Sequence, residues 1–323
     1  PGPEGSLRSP EVTPPAFGLD PTPVYSDRPS TGPGSPVVYD LATGIETVQP
    51  LPVGPFAPYG FVAGRVVGDV VQESISRSFN QLTTRSPGSY PWSSHGRMWA
   101  STSTGGTLLC SGTMIDAKHY ITAGHCVHEG SGGNWYTGIS ISPGWDGDDD
   151  DFGSANATAV VGWTGWTVSG SWDGDQAVVR LDRPVGFLTG WLGYGYNSSN
   201  SWWSSSTFHT TGYPGSSWSG APDQQYYGYG SWDQVATDTV EADCPPWTFW
   251  FGGMSGGGVY YKDTAGDRFV YANNSYGWGK SSNITSRFGV CRMTSAKFDH
   301  YANTFIPGGY ISSQQDLIPM DVN

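Results

Sequence analysis

Positive charge is scarce in this chain. Lys plus Arg come to 15 against 28 Asp plus Glu, a net charge of −13 over 323 residues. Such a field disfavours nucleic acid and anionic membrane surfaces, and neither is expected as a partner. No uninterrupted apolar run approaches the ~20 residues that cross a bilayer, so no membrane span is expected either. Cysteine is also sparse, four in all, with no CxxC pair and no Cys/His cluster at zinc spacing. The four could be free thiols, metal ligands or two disulfides; we read two disulfides and no metal or other cofactor. Disulfides imply an oxidising compartment. The first residue is Pro and no charged-then-apolar leader remains, so the expectation is a secreted, extracellular protein after signal removal. Helix-favouring composition is missing too, since charged residues make up only 13%.

What is abundant is Gly (47), Pro (24), Tyr (18) and Trp (15), which suits short aromatic strands joined by turns. The length allows one large all-β unit or two domains. Residues 1 to about 60 are Pro-rich (PGPEG, TPPAF, GPGSP, LPVGPF), a density that blocks helices and central strands. Within them VVYDLATGIETV alternates enough for one strand or a short docked piece. We place an extension, either propeptide or linker, at 1–84 and the main domain at 85–323. From about residue 85, apolar and aromatic runs (TLLCSGTMI, HYITAGHCV, ATAVVGW, QAVVRL, GGVYY, RFVYAN) recur between turns, the pattern of a sandwich or barrel. Near the end, Phe298, Tyr301, Ala302 and Phe305 fall at i, i+3, i+4 and i+7 after a candidate cap at Thr294 or Ser295, which predicts an amphipathic helix.

Two motifs carry chemistry. GGMSGGGVY sets Ser255 in a glycine-rich turn, and TAGHC sets His125 beside a cysteine. A serine hydroxyl is a poor nucleophile near neutral pH and needs a general base together with N–H groups aimed at the developing oxyanion. Glycines at 253, 256 and 257 let the backbone turn sharply against a substrate carbonyl.

With CSGTMIDAKHYITAGHCV, DGDQAVVRLDRPVG and GGMSGGGVYY in that order, the chain resembles the trypsin-like (chymotrypsin-fold) serine endopeptidases over roughly residues 85 to 310. The order His, Asp, Ser differs from the Ser, Asp, His of nucleophile-elbow hydrolases and the Asp, His, Ser of subtilisins. SYPWSSHGRM, CSGTMID and TGYPG are most similar to the bacterial secreted branch near the glutamyl (V8-like) endopeptidases. The resemblance implies two six-stranded antiparallel β-barrels with a C-terminal helix, and a polypeptide substrate. It implies His125 as general base, Asp175 orienting it with Asp173 as competitor, and Ser255 as nucleophile. Gly253 and Ser255 would supply the oxyanion N–H groups, and Ser275, Tyr276 and Gly277 a wall that pairs with the substrate backbone. It also implies a Cys110–Cys126 disulfide, which leaves Cys244 and Cys291 for a second. A monomer is the default expectation.

The chain departs from the family at several places. Met254 stands where trypsin carries the Asp that receives the new N-terminus after zymogen cleavage, so RVVGD at 65–69 would lack the usual partner if cut. Phe249, followed by Trp250, stands where trypsin has the Asp that binds Lys or Arg. Asn274 stands where glutamyl endopeptidases have a histidine. A further expectation is that residues 1 to about 84 are removed or displaced on activation. DGDDDD at 146–151 fits no defined calcium loop and reads as a solvated acidic loop. His95, His119, His128, His209 and His300 read as surface or core residues, with a role near the substrate cleft as the alternative for His209. The alternative function is a non-catalytic binding protein on the same scaffold.

Overall fold

The structure is a computed structural model, and it describes residues 30–68, 70, 83–147, 151–215, 224–244, 252–278 and 286–311. The N-terminal extension contributes four strands. β1 (Pro36–Asp40) and β2 (Ile45–Val48) form an antiparallel hairpin. The run expected to give one strand or a short docked piece forms a docked hairpin, folded back at Asp40–Gly44. Gly44 takes a φ of 69°, its N–H donates to the Asp40 carbonyl, and the Asp40 carboxylate receives Thr43. β3 (Tyr59–Val62) and β4 (Thr83–Arg85) join the other half of the molecule.

Strands β5 (His95–Ser101), β6 (Thr107–Met114), β7 (His119–Thr122), β8 (Thr137–Pro143), β9 (Ala155–Trp163) and β10 (Ala177–Leu181) follow in the order β10-β7-β6-β5-β8-β9. β10 also pairs with β9, which closes a six-stranded barrel. Alternating inward residues fill it, among them Met98, Leu108, Tyr120, Ile141, Val160 and Val179. β1 extends the same sheet along β9, with Val37 fully buried.

The second half holds β11 (Gly193–Asn197), β12 (Phe208–Gly212), β13 (Gln225–Gly230), β14 (Gln234–Val235), β15 (Thr239–Cys244), β16 (Gly258–Lys262), β17 (Arg268–Trp278) and β18 (Ser286–Arg292). Its order is β14-β15-β18-β17-β16-β12-β13-β4, and β11 lies parallel to β17 and antiparallel to β3. The expected all-β architecture is observed. The second half is a ten-stranded sheet among the described residues, because β3, β4, β11 and β14 add to its edges. The abundant aromatics fill its core, where Trp203 stacks on Phe208 at 4.7 Å beside Trp232 and Phe288.

A third apolar cluster joins the halves: Ile121 and Val161 of the barrel meet Tyr260 and Val270 of the second sheet and Tyr301 and Phe305 of the C-terminal helix. That helix is observed from Ser295 to Ile311, and its middle turn at Tyr301–Phe305 is π-helical. Thr294 occupies the N-cap position without a side-chain cap bond; its carbonyl receives the N–H of Phe298. Tyr301 is fully buried, and its hydroxyl accepts from the Trp163 indole at 2.7 Å.

Candidate active site

His125 sits on a 3₁₀ turn, Gly124–Cys126, at the end of β7, and a Cys110–Cys126 disulfide ties this turn to β6. The expected bridge is therefore present. Gly124 is pressed so closely that a Cβ would meet Asp175 Oδ1 and the Trp166 ring at 3.1 Å. Asp175 lies across the turn, at the end of a second 3₁₀ turn, Trp172–Gly174, immediately before β10. Its carboxylate is fully buried and receives three donors. The His125 backbone N–H donates to Oδ1 at 2.7 Å, and His125 Nδ1 lies 2.9 Å from Oδ2, which also receives the Ser275 hydroxyl. The Asp175 carbonyl accepts from Asn273 Nδ2 at 3.0 Å, and Gln176 Nε2 donates to Asn273 Oδ1.

Asp173, the competitor, faces elsewhere. Its carboxylate receives the Thr31 N–H at 2.8 Å and the Thr31 hydroxyl at 3.2 Å. Residues two apart share a face only in a strand, and these two belong to a 3₁₀ turn, which points them in different directions.

Ser255 lies in a tight turn, 2% exposed, between β6 and the histidine loop. Its carbonyl accepts from the Ser111 N–H at 2.7 Å, and the Ser111 hydroxyl donates to the Gly253 carbonyl at 2.7 Å. Gly253 and Gly256 adopt φ of 95° and 85°. A Cβ on Gly256 would run into Thr122, the Ser111 carbonyl and the Ala123 amide, so the turn lies flush against the loop that carries His125. Met254 is fully buried in the second apolar core and packs on Gly212, with its thioether in place of any carboxylate.

In β17, the pairing with β16 ends at Asn273, while β18 continues alongside to Trp278. A register shift between Asn274 and Tyr276 turns the Ser275 hydroxyl back onto Asp175. Gly277 pairs with Phe288. Asn274 is fully buried. Its Oδ1 accepts from the Thr210 hydroxyl at 2.9 Å, and its Nδ2 donates to the Met254 and Thr211 carbonyls at 3.2 and 3.3 Å. Phe249 and Trp250 lie outside the described residues.

Aromatic rings that the sequence reading did not single out surround the histidine. Trp166 and Trp172 meet the His125 ring edge-on at centroid distances of 5.9 and 6.2 Å, and Trp172 packs on Tyr276 at 5.0 Å. Trp172 directly precedes the DGDQ motif and could have been noticed there; Trp166 carries no local signal.

The second expected disulfide is corrected. Cys291 is a free, buried thiol. In the β15–β18 ladder it faces Thr239, whereas Cys244 faces Ser286. Five positions along a strand amount to roughly 16 Å, far beyond disulfide reach. Burial pushes the Cys291 thiol up to about 12, with Lys297 opposing.

Two of the other histidines are buried against hydroxyls. His209 Nδ1 lies 2.6 Å from the Tyr227 hydroxyl and its ring stacks on Tyr260, while His95 Nδ1 lies 2.7 Å from the Thr113 hydroxyl. Among the described residues, Cys110, His125 and Cys126 form the one cluster close enough to suggest a metal, and both of its sulfurs are already bonded to each other. Part of the 146–151 acidic run lies outside the described residues.

Residues 83–295 match the family described as Trypsin. The chain is 28% identical over 204 residues to a glutamyl endopeptidase of Bacillus licheniformis, which covers 60% of this chain and 58% of that one. It is also 32% identical over 101 residues, 30% of each chain, to a Bacillus subtilis protein described as an extracellular metalloprotease. The chain thus aligns with less than two thirds of either relative. Among solved structures, a Glu endopeptidase in complex with MPD superposes with a TM-score of 0.57 at 21% identity, covering 72% of this chain and 100% of that one. Protease Anisep from Arthrobacter nicotinovorans gives 0.56 at 21%, covering 68% and 98%. At that identity the superpositions establish the fold.

Proposed function

Since the chain belongs to the trypsin family of serine endopeptidases, we propose that it hydrolyses peptide bonds through an acyl-enzyme on Ser255. His125 acts as general base, taking the Ser255 proton and returning it to the leaving amine, and Asp175 orients it. The observation that carries this reading is the buried Asp175 carboxylate, which holds both the Nδ1 and the backbone N–H of His125. With Nδ1–H committed to the carboxylate, Nε2 is left as the basic nitrogen. The N–H groups of Gly253 and Ser255 form the oxyanion site, an arrangement favoured by the positive φ of Gly253. The substrate backbone adds along Ser275–Gly277, where β17 has β18 on one side and β16 has ended.

The substrate is a polypeptide, and the chain acts as a secreted monomer. The residue before the cut is uncharged: Phe249 and Asn274 replace the two charge-reading residues of the relatives, and the Asn274 amide is spent on Thr210, Thr211 and Met254. Residues 85–323 form the protease domain and 1–84 its extension. Within that extension, Ser30–Val62 belongs to the folded unit, through β1 on β9 and β3 on β11. An activating removal that left these pairings intact would fall before Ser30.

A fluorophosphonate probe followed by intact-mass analysis tests the reading, because it reports an activated serine without a known substrate. One adduct is expected on the wild-type chain and none on Ser255→Ala. No adduct on the wild type even after the N-terminal segment is removed, or an adduct that survives in the variant, refutes the assignment and favours the binding-protein alternative.

A further inference from the structure

The helix that begins at Ser295 reaches the catalytic aspartate's turn with a buried cation. Lys297, on the first turns of the C-terminal helix, is fully buried. Its Nζ donates to the Asp173 carbonyl at 2.7 Å, to the Arg292 carbonyl at 2.9 Å and to Cys291 Sγ at 3.0 Å. Three ammonium protons thus meet three acceptors. None of the three acceptors is a carboxylate; the nearby Asp238, itself buried, feels the ammonium's field, as does the Cys291 thiol. Taking an ammonium out of water is expensive, and an apolar side chain of similar volume often serves a core at least as well. Of the two carbonyls the ammonium holds, that of Asp173 bears on the active site.

That carbonyl belongs to the 3₁₀ turn Trp172–Gly174, on which Asp175 is the next residue. The Cys291 thiol donates to the same oxygen at 3.4 Å, and Thr31 holds the Asp173 carboxylate from the opposite side. The turn is closed by its own bonds, Gly174 N–H to the Ser171 carbonyl and Asp175 N–H to the Trp172 carbonyl, and anchored at its ends by Ser171 N–H on the Gly165 carbonyl and Asn273 Nδ2 on the Asp175 carbonyl. Asp175 must keep one oxygen on the His125 amide and the other on Nδ1 at once, so a small rotation of the turn breaks one of the two.

We propose that Lys297 is a positioning residue for catalysis, acting through the Asp173 carbonyl to fix the Asp175 carboxylate on His125. The inference rests on the triad reading above. It predicts an effect on the chemical step and little on substrate binding, because Lys297 lies behind the aspartate, buried from the solvent-facing cleft.

The test measures kcat and KM for wild type, Asp175→Asn, Lys297→Met, Lys297→Gln and Lys297→Arg on one peptide substrate. Melting temperatures and the low-field proton NMR resonance of the His125 Nδ1–H are recorded on the same samples. Misplacing a catalytic group by about 1 Å costs up to about 10²-fold. Lys297→Met is therefore expected to lower kcat by about 10-fold or more with KM within about twofold. It should also broaden or shift the Nδ1–H resonance, and Lys297→Arg should recover part of both. A folded Lys297→Met whose kcat and resonance match the wild type, whatever its melting temperature, overturns the proposal. If Lys297→Met does not fold, Lys297→Gln is read in the same way. If neither folds, Lys297 belongs to the core and the proposal is overturned. A wild-type chain that neither cleaves nor labels, or an Asp175→Asn that stays fully active, overturns the triad reading itself.

Discussion

Asp175→Asn keeps the volume of the side chain and removes its charge, leaving a site that cannot satisfy every donor around it. Three donors converge on the carboxylate: the His125 amide on one oxygen, and the His125 Nδ1–H and Ser275 hydroxyl on the other. An asparagine has one oxygen to offer. If that oxygen faces Nδ1, its NH₂ confronts the His125 amide, donor against donor. If it faces the amide, its NH₂ confronts Nδ1 and Ser275, and the imidazole must move its proton to Nε2, where it no longer accepts from Ser255. The first arrangement leaves a buried donor unsatisfied, a cost of about 1–3 kcal/mol that a folded domain survives. The second removes the base. The triad template in which this substitution was worked out, itself a member of this family, loses about 10⁴ in kcat, or about 5.4 kcal/mol of transition-state stabilisation. The same order is expected here. The assay is kcat on a peptide substrate alongside the second-order rate of fluorophosphonate labelling, with Asp173→Asn as comparison. Asp173 spends its carboxylate on Thr31 rather than on His125, so its variant should lose less than about tenfold. An Asp175→Asn within about tenfold of wild type, or an Asp173→Asn that falls equally far, refutes the assignment.

Stability should fall on acidification. Burial, aided by Arg268, holds His95 at about 3, and burial holds His300 at about 4 against the opposing pull of Asp299. Both folded values lie below the unfolded value near 6.5, so the unfolded chain binds more protons. Stability is therefore fully present above about pH 6.5 and drops by up to about 1.4 kcal/mol per pH unit for each histidine below it, until the folded value is reached. Urea midpoints from pH 7 to 4 check this, and a flat profile contradicts it. Thiol titration of the unreduced chain should find two reactive thiols in denaturant and no reaction of Cys291 in the native state, where it is buried; zero thiols in denaturant would restore the second disulfide. A chain starting at Ser86 should melt well below one starting at Ser30, because it lacks the β1–β9 ladder and the buried Val37. Equal melting temperatures would return Ser30–Val62 to the status of a detachable segment.

The local chemistry was legible because its signals are short-range. TAGHC and GGMSGGGVY each specify a turn within a few residues, and the terminal helix announces itself through the spacing of Phe298, Tyr301 and Phe305. What failed depended on long-range register. Cys244 and Cys291 lie on paired strands, but only the ladder sets them five positions apart. The family motif favours Asp175 over Asp173, but strand parity cannot separate residues two apart; the 3₁₀ turn points them in different directions. Trp166 approaches His125 from a short helix, Thr164–Thr167, remote in sequence, and Lys297 lies outside the apolar stripe of its helix and is buried nonetheless. No periodicity marks either residue.

The unpaired thiol of Cys291 bears on how the molecule is made. The Cys110–Cys126 bridge forms only under oxidising conditions, and under those conditions any exposed thiol is a reactant for exchange. Cys291 follows Cys110 and Cys126 in the chain, and the helix beginning at Ser295 packs against it through Lys297. Until that helix docks, Cys291 can capture Cys110 or Cys126 and strand the chain in a wrong bridge. Maturation is thus a race between docking of the helix and scrambling at Cys291, and yield depends on a thiol buffer that lets wrong bridges reopen.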